Sequence, residues 1–277
     1  MIHEISSHLF DISFRMSIAH HESDFLLCYS EKSIWLHSGE KGLAFPTRRN
    51  FPDGDLEGND TFLFTFHGIP CFLKNVVPEP GCSVLCETEL GFFRTTPQKD
   101  LAWAALVGYH LYRWYRQNRF CGRCGLKMEP RADERALHCP ACASTVYPSV
   151  FPAVIVAVVC NGKILLARGA GFSQGWFSLI AGYTNPGESL EETVIREVKE
   201  ETGLDVWNIR YYKSQPWPLS SSLMVGFVAE ADESQPLQPD TREIAEAAWF
   251  TPGNLPDHPS EISIAGEMIE KFRRGEL

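Results

Sequence analysis

The stretch "GYTNPGESLEETVIREVKEETGL", Gly182 to Leu204, holds six glutamates and no aspartate. The direction in which those acids point decides how the second half of the chain is read. Glu188-Ser189 ahead of apolar residues at Leu190, Val194 and Val198 marks a helix start, and Thr202-Gly203 marks its stop. The spacing predicts a helix from Ser189 to Thr202. Turning about 100° per residue, Glu201 falls about 20° and Glu197 about 60° from Val194, the middle of the apolar stripe. The opposite face holds Glu192, Arg196 and Lys199, where a solubilising charge run belongs. A solvated face thus accounts for Glu191 and Glu192 but not for Glu197 and Glu201.

Carboxylates one turn apart at the edge of an apolar stripe repel each other and lose hydration, so something positive should compensate them. A divalent cation fits: Mg²⁺ prefers oxygen ligands and takes a few carboxylates together with substrate phosphates. Glu200 adds a third acid on the adjoining edge, enough for a site that clamps attacking and leaving oxygens together. The plainer alternative is an i, i+4 pair absorbed by surface Lys or Arg.

The whole segment resembles the Nudix box. Gly182, Glu188, Arg196-Glu197-Val198, Glu200-Glu201 and Gly203-Leu204 match it at every fixed position. The resemblance implies a loop-helix-loop in an α/β/α sandwich with a mixed sheet, holding Mg²⁺ or Mn²⁺ and hydrolysing a nucleoside diphosphate linked to another moiety. It implies Glu197 and Glu201 as metal ligands, the Ala181 carbonyl completing the inner shell, Glu200 supporting a further ion, and Glu188 bracing the loop through Arg196. On physical grounds Gly182 and Gly187 let the backbone turn tightly, and Gly203 ends the helix.

Composition bounds the remaining choices. The 277 residues, 44% of them hydrophobic, suffice for more than one domain with real cores. No apolar run approaches the roughly 20 residues that span a bilayer, and "MIHEISSHLFDISFRM" lacks a basic start followed by an apolar stretch. The expectation is a soluble cytoplasmic protein with no membrane segment. A net charge of −10 argues against broad electrostatic binding to nucleic acid and leaves room for a local basic pocket.

Nine cysteines without a secretory signal do not form a disulfide framework. Four are arranged as "CGRCG" at Cys121 and Cys124, fourteen residues, then "CPAC" at Cys139 and Cys142. Two such knuckles give tetrahedral Zn²⁺ four thiolates and leave no open position, the pattern of a structural zinc ribbon. Cys28, Cys71, Cys82, Cys86 and Cys160 read as core or incidental thiols.

Around the ribbon the chain divides into an N-terminal β-rich domain closed by a helix over Gln98 to Asn118 (residues 1–118), the ribbon (119–148) and a Nudix hydrolase domain (149–277). The strands of the first come from "DFLLCYS", "KSIWLH", "DTFLFTFHGIPCFLKNV" and "CSVLCETELGFFRTT". "FPAVIVAVVC", "NG" and "KILLARG" form a hairpin whose continuous apolar run implies burial on both faces. Strands at about Leu204 to Lys213 and over "SSLMVGFVAE" follow, then a helix around Ser260 to Arg273.

Between those two strands, "SQPWPLSSS", Ser214 to Ser222, reads on its own as a stiff Pro-rich loop. Downstream of a Nudix box it resembles the SQPWPFPxS element of the NADH pyrophosphatase group, with Leu219 in place of Phe and Ser220 in place of Pro. That group also carries a four-cysteine zinc site. The resemblance implies substrate contacts from Gln215, Pro216, Trp217, Pro218 and Ser222, stacking by Tyr147 and Tyr183, a contact from Glu134 near a subunit boundary of a homodimer, and a pocket lining at Ala265. For Tyr147 and Tyr183 the alternative is core packing. Glu243 in "TREIAEAAWF" matches the group's remote metal-binding carboxylate, with Glu246 its rival three residues on. The implied reaction is hydrolysis of NAD(H) to NMN(H) and AMP, with removal of NAD caps from RNA 5′ ends by the same chemistry. ADP-ribose or a dinucleoside polyphosphate as substrate, and a non-catalytic zinc-ribbon binding module, are the alternatives.

Overall fold

The computed structural model describes every residue except 16–17, 40–41, 52–59, 75–84 and 172–173. Cys82 and parts of the last two expected N-terminal strands fall outside the described residues. The chain forms two compact units, one of Ile2–Ser149 with Pro218–Ser220 and one of Met1, Val150–Trp217 and Ser221–Leu277.

In the first unit, β1 (Phe10–Asp11), β2 (Phe25–Leu27), β5 (Thr61–Phe66) and β6 (Ile69–Leu73) form one sheet in the order β1-β5-β6-β2. The strands β3 (Ser33–Gly39), β4 (Gly42–Ala44) and β7 (Leu85–Glu89) form another in the order β4-β3-β7. The expected helix is α1 (Lys99–Gln117). Its glycine is a contact point: a Cβ at Gly108 would come within 2.2 Å of the Tyr29 hydroxyl, which donates to the Ala105 carbonyl at 2.8 Å. Short strands β8 (Glu129–Pro130), β9 (Leu137–His138) and β10 (Thr145–Val146) make the ribbon.

The second unit is built on β11 (Phe151–Cys160), β12 (Lys163–Gly169), β13 (Ile180–Tyr183), β14 (Val206–Trp217), β15 (Ser222–Ala231) and β16 (Ile244–Phe250), with helices α2 (Leu190–Thr202) and α3 (Ile264–Arg274). The sheet runs β14-β15-β11-β12-β16, with β13 also on β11. It is mixed, because β11 pairs parallel with β15 and antiparallel with β12 and β13. The β11–β12 turn has positive φ at both Asn161 (47°) and Gly162 (72°), the geometry that the right-handed twist of a hairpin favours.

Alternation along β11 explains its unbroken apolar run. Val154, Val156 and Val158 join the cluster around Val194 and Val198 of α2. Ile155 and Ala157 join the one around Ile264, Met268, Ile269 and Phe272 of α3. Each fully buried aliphatic side chain contributes about 1.5–3 kcal/mol, so the sheet holds a helix on each face.

One boundary departs from the sequence reading. Ser214 to Trp217 is not loop but the end of β14, with Gln215 opposite Met224 and Pro216 opposite Leu223. β14 is an edge strand, where a proline's missing N–H is tolerated. Only Pro218 to Ser221 lies between β14 and β15. Among the described residues no helix is long and apolar enough to cross a membrane.

The start of α2 is closed by a capping box: the Ser189 hydroxyl accepts from Glu192 N–H at 3.2 Å, and the Glu192 carboxylate accepts from Ser189 N–H at 2.7 Å. Ser189→Ala should cost about 1 kcal/mol, read as a lower urea midpoint by circular dichroism, with an unchanged midpoint refuting a stabilising cap.

Candidate active site

α2 and β13 assemble the site. Glu197 and Glu201 are each only 9% exposed, on the side of α2 that the helical wheel assigned to the core. Burial is the largest cause raising the Glu201 carboxyl, to about 8, followed by repulsion from Glu197, Glu243 and Glu200. Glu197 is raised too, first by burial, with Arg196 opposing. Among the described residues no cation is paired with Glu201.

Arg196 compensates the others. The wheel put it on the solvent face, but its long side chain bends back. The guanidinium donates to Glu188 at 2.5 and 2.9 Å, to Glu197 at 2.8 Å, to Glu200 at 3.0 Å and to the Tyr183 carbonyl at 2.9 Å. Glu188 in turn accepts from Asn185 N–H at 2.9 Å and from the Thr193 hydroxyl at 3.2 Å. The Arg196 hydrogen bonds are the main reason its carboxyl is lowered to about 2. Loop and helix are thereby fastened together.

Gly182 has a different job from the one expected. Its φ is not positive, whereas Gly187 (97°) and Gly203 (78°) are left-handed and serve a turn and the αL cap of α2. A Cβ at Gly182 would lie 1.9 Å from the Glu197 carboxyl carbon. The glycine supplies room for the carboxylate. Ala181 precedes it in β13, opposite Ile155 of β11.

Glu243 and Glu246 separate cleanly. The charge of Glu243 reaches Glu197 and Glu201, while Glu246 sits opposite Arg168 on the β12–β16 ladder and pairs with it at 3.5 Å. Glu197, Glu200, Glu201 and Glu243, with one arginine among them, make a region of negative charge short of positive charge, although among the described residues no three of their carboxylate groups converge within 4.8 Å.

On β14, Gln215 is fully buried and both ends of its amide are engaged. It donates to the Ile262 carbonyl at 2.9 Å and accepts from Ile264 N–H at 2.7 Å, which fixes the start of α3. Trp217 and Ser222 face each other across the β14–β15 ladder. The exposed Tyr183 lies with its hydroxyl 3.2 Å from that of the buried Ser222, so Tyr183 is not a core residue. Ala265 packs in the α3 cluster. Pro216 lies on β14, whereas Pro218 belongs to the N-terminal unit. Tyr147, also exposed, donates to Glu134 at 3.0 Å in that same unit.

The ribbon brings Cys121, Cys124, Cys139 and Cys142 together with all sulfurs within 4.8 Å of one another. Cys121 and Cys142 are 3.5 Å apart, Cys124 and Cys139 3.4 Å. A tetrahedral site with Zn–S of about 2.3 Å needs sulfurs about 3.8 Å apart, so the residues fit zinc. Backbone N–H groups of Arg123 and then Cys124 lower the Cys121 thiol, whereas against the Leu126 N–H the neighbouring sulfurs, first that of Cys139, raise the Cys124 thiol. None of the described cysteines is in a disulfide; outside the ribbon, Cys28 and Cys71 are buried and Cys86 and Cys160 partly so.

Comparison with known proteins identifies the family. The family described as "NUDIX domain" matches residues 150–272, and "NADH pyrophosphatase zinc ribbon domain" matches 116–147. A Stutzerimonas stutzeri protein named "NAD-capped RNA hydrolase NudC" is 46% identical over 232 residues, which is 84% of this chain and 80% of the relative. The chain belongs to the Nudix hydrolase family. Two further relatives of this Nudix hydrolase carry the same name. One from Pseudomonas putida (strain W619) is 38% identical over 80% of this chain and 82% of its own length. The other, from Pseudomonas aeruginosa (strain LESB58), is 41% identical over 62% of this chain and 60% of its own.

Several residues that brace the candidate site carried no separate signal in the sequence. Thr193, which is fully buried, and Asn185 reach Glu188 only because the loop folds back on the helix. The role of the Tyr183 carbonyl is a backbone property that any residue there would share.

Gly182→Ala is expected to displace the Glu197 carboxylate and weaken Mn²⁺ binding about 10–100-fold; calorimetric titration giving the parental affinity would contradict that. Cys121→Ser should abolish bound zinc, read by plasma mass spectrometry, and lower the thermal midpoint by at least about 5 °C.

Proposed function

We propose that this Nudix hydrolase cleaves the pyrophosphate bond of NAD(H), giving NMN(H) and AMP, and removes NAD caps from RNA 5′ ends by the same step. The carrying observation is Glu201, buried a turn from Glu197 with no cation paired with it among the described residues. The relatives' shared name supports the substrate class.

Glu197, Glu201 and Glu243, with Glu200 and the Ala181 carbonyl, would hold Mg²⁺ or Mn²⁺. Such an ion supplies a Lewis acid for the phosphate oxygens and makes water more acidic. Glu201 orients the attacking water and accepts its proton. The water oxygen bonds to one phosphorus, the bridging P–O bond breaks, and the second phosphate leaves with its electron pair. Arg196 holds Glu197 and Glu200 in place and, through Glu188, keeps the 183–188 loop on the helix. Tyr183 and Tyr147 offer exposed rings for stacking a base. Trp217, Pro216, Pro218, Ser222, Glu134 and Ala265 complete the dinucleotide contacts in this reading. Gln215 serves it by fixing the start of α3.

Zinc in the ribbon is structural, and the three-part division at 118/119 and 148/149 belongs to the same proposal, as do a homodimer and a cytoplasmic location. Glu201→Gln should reduce kcat about 10²–10⁴-fold while zinc content stays parental and the thermal midpoint is unchanged or raised, because the buried charge is removed. Parental turnover of NADH by that variant would remove Glu201 from the chemistry. Product chromatography on NADH, NAD⁺, NAD-capped RNA and ADP-ribose checks the substrate, with a preference for ADP-ribose overturning the assignment.

A further inference from the structure

The chain leaves the first unit after Ser149 and returns to it for three residues only, Pro218 to Ser220. With Ser221, those three make the connection between β14 and β15. Trp217 and Ser222, which pair across the ladder, flank it.

This connection has little stiffness of its own. Leu219 and Ser220 stand where the element it resembles has Phe and Pro, and a serine leaves free the φ that a proline would fix. Ser221 has a φ of 57°, a left-handed conformation that a β-carbon disfavours, so contacts from elsewhere must hold the turn. The Ser221 carbonyl accepts from Phe151 N–H at 2.8 Å. The Leu219 carbonyl accepts from the Arg113 guanidinium of α1 at 3.0 Å.

Arg113 is well placed to keep that bond. It is half-buried, and its guanidinium lies 5.8 Å from the centre of the Tyr109 ring. Tyr109 is itself fixed, its hydroxyl donating to the Glu31 carbonyl at 2.6 Å. Among the described residues Arg113 pairs with no carboxylate, so the charge-assisted bond to Leu219 is not shared with an acid. Three residues earlier on the same face of α1, His110 Nε2 lies 2.9 Å from the Ser149 carbonyl. A carbonyl only accepts, so that nitrogen carries the proton. Burial holds the imidazole below its ordinary value and therefore neutral. One helix face thus grips a backbone carbonyl next to β11 and another within the β14–β15 connection.

We propose that Arg113 is a positioning residue for dinucleotide recognition: by holding the Leu219 carbonyl it sets Trp217 and Ser222 for the substrate. This rests on the NAD(H) reading and adds to it a residue of the first unit that touches no substrate atom. The arginine supplies from outside the rigidity that a proline at position 220 would supply from within.

The test uses the full zinc-loaded chain with Mn²⁺ and NADH. Arg113→Met keeps a stem against Tyr109 and removes the donors. It should raise KM for NADH at least about fivefold, as loss of one charge-assisted hydrogen bond would, while kcat stays within about twofold. Hydrogen exchange read by mass spectrometry should be at least about fivefold faster in the peptide spanning residues 217–223. A fallen thermal midpoint or lost zinc marks a folding defect, and Arg113→Gln, too short to reach Leu219, then carries the same comparison. Raised KM together with faster exchange supports the proposal. Parental KM, or parental exchange of that peptide, overturns it and leaves the NAD(H) reading standing. A parent chain that hydrolyses ADP-ribose in preference to NADH removes that reading, and this proposal with it.

Discussion

Two carboxylates held against a hydrophobic core set the local structure from Ala181 to Leu204. Glu197 and Glu201 emerge beside Val194 and Val198, which are fully buried, and burial penalises their charge. Several neighbouring features answer that penalty. Arg196 gives up a solvent position to reach Glu197. Glu188 and the Tyr183 carbonyl hold that arginine in place. A residue without a side chain stands at 182 because the Glu197 carboxylate occupies the space. Among the described residues Glu201 has no cation paired with it, so its demand for positive charge is left unmatched.

The same segment shows what can be read from one dimension and what cannot. The helix bounds and the core-facing acids follow from periodicity and terminus signals, which are local. The reason for Gly182 is not local: the conformational reading expected a tight turn, whereas the need is space for a side chain fifteen positions later. Ser214–Trp217 failed as a loop for a related reason. Two prolines around a tryptophan look like a connection, and only the place of β14 at the sheet edge makes Pro216 acceptable inside a strand. Gln215 shows the same dependence, since its partners lie 47 and 49 residues away. In the N-terminal unit, Arg48 pairs with Asp60 at 2.7 Å and lies 4.0 Å from Asp24, all three buried side chains. That cluster left no pattern in the sequence at all.

The two units solve the burial problem differently. The sheet of the second is covered on both faces, and β11 alone feeds two apolar clusters through its alternating side chains. The ribbon has three two-residue strands and a cluster that includes Cys121 and Cys139 themselves, with Trp114, Met128 and Leu137. A core so small cannot offset its own ordering entropy, and the four cysteines that converge there fit a stabilising zinc ion.

The edge position of β14 has a bearing on solubility. The strand exposes Trp207 and Tyr211, and a long sheet margin with aromatic side chains is the sort of surface along which copies of a chain zip together. Pro216 lacks the amide hydrogen that a continuing ladder would use at its position. The strand is further broken by register shifts between Trp207 and Arg210 and between Tyr211 and Lys213. The irregularities that disguise this strand in the sequence therefore also make it a poor template for intermolecular pairing.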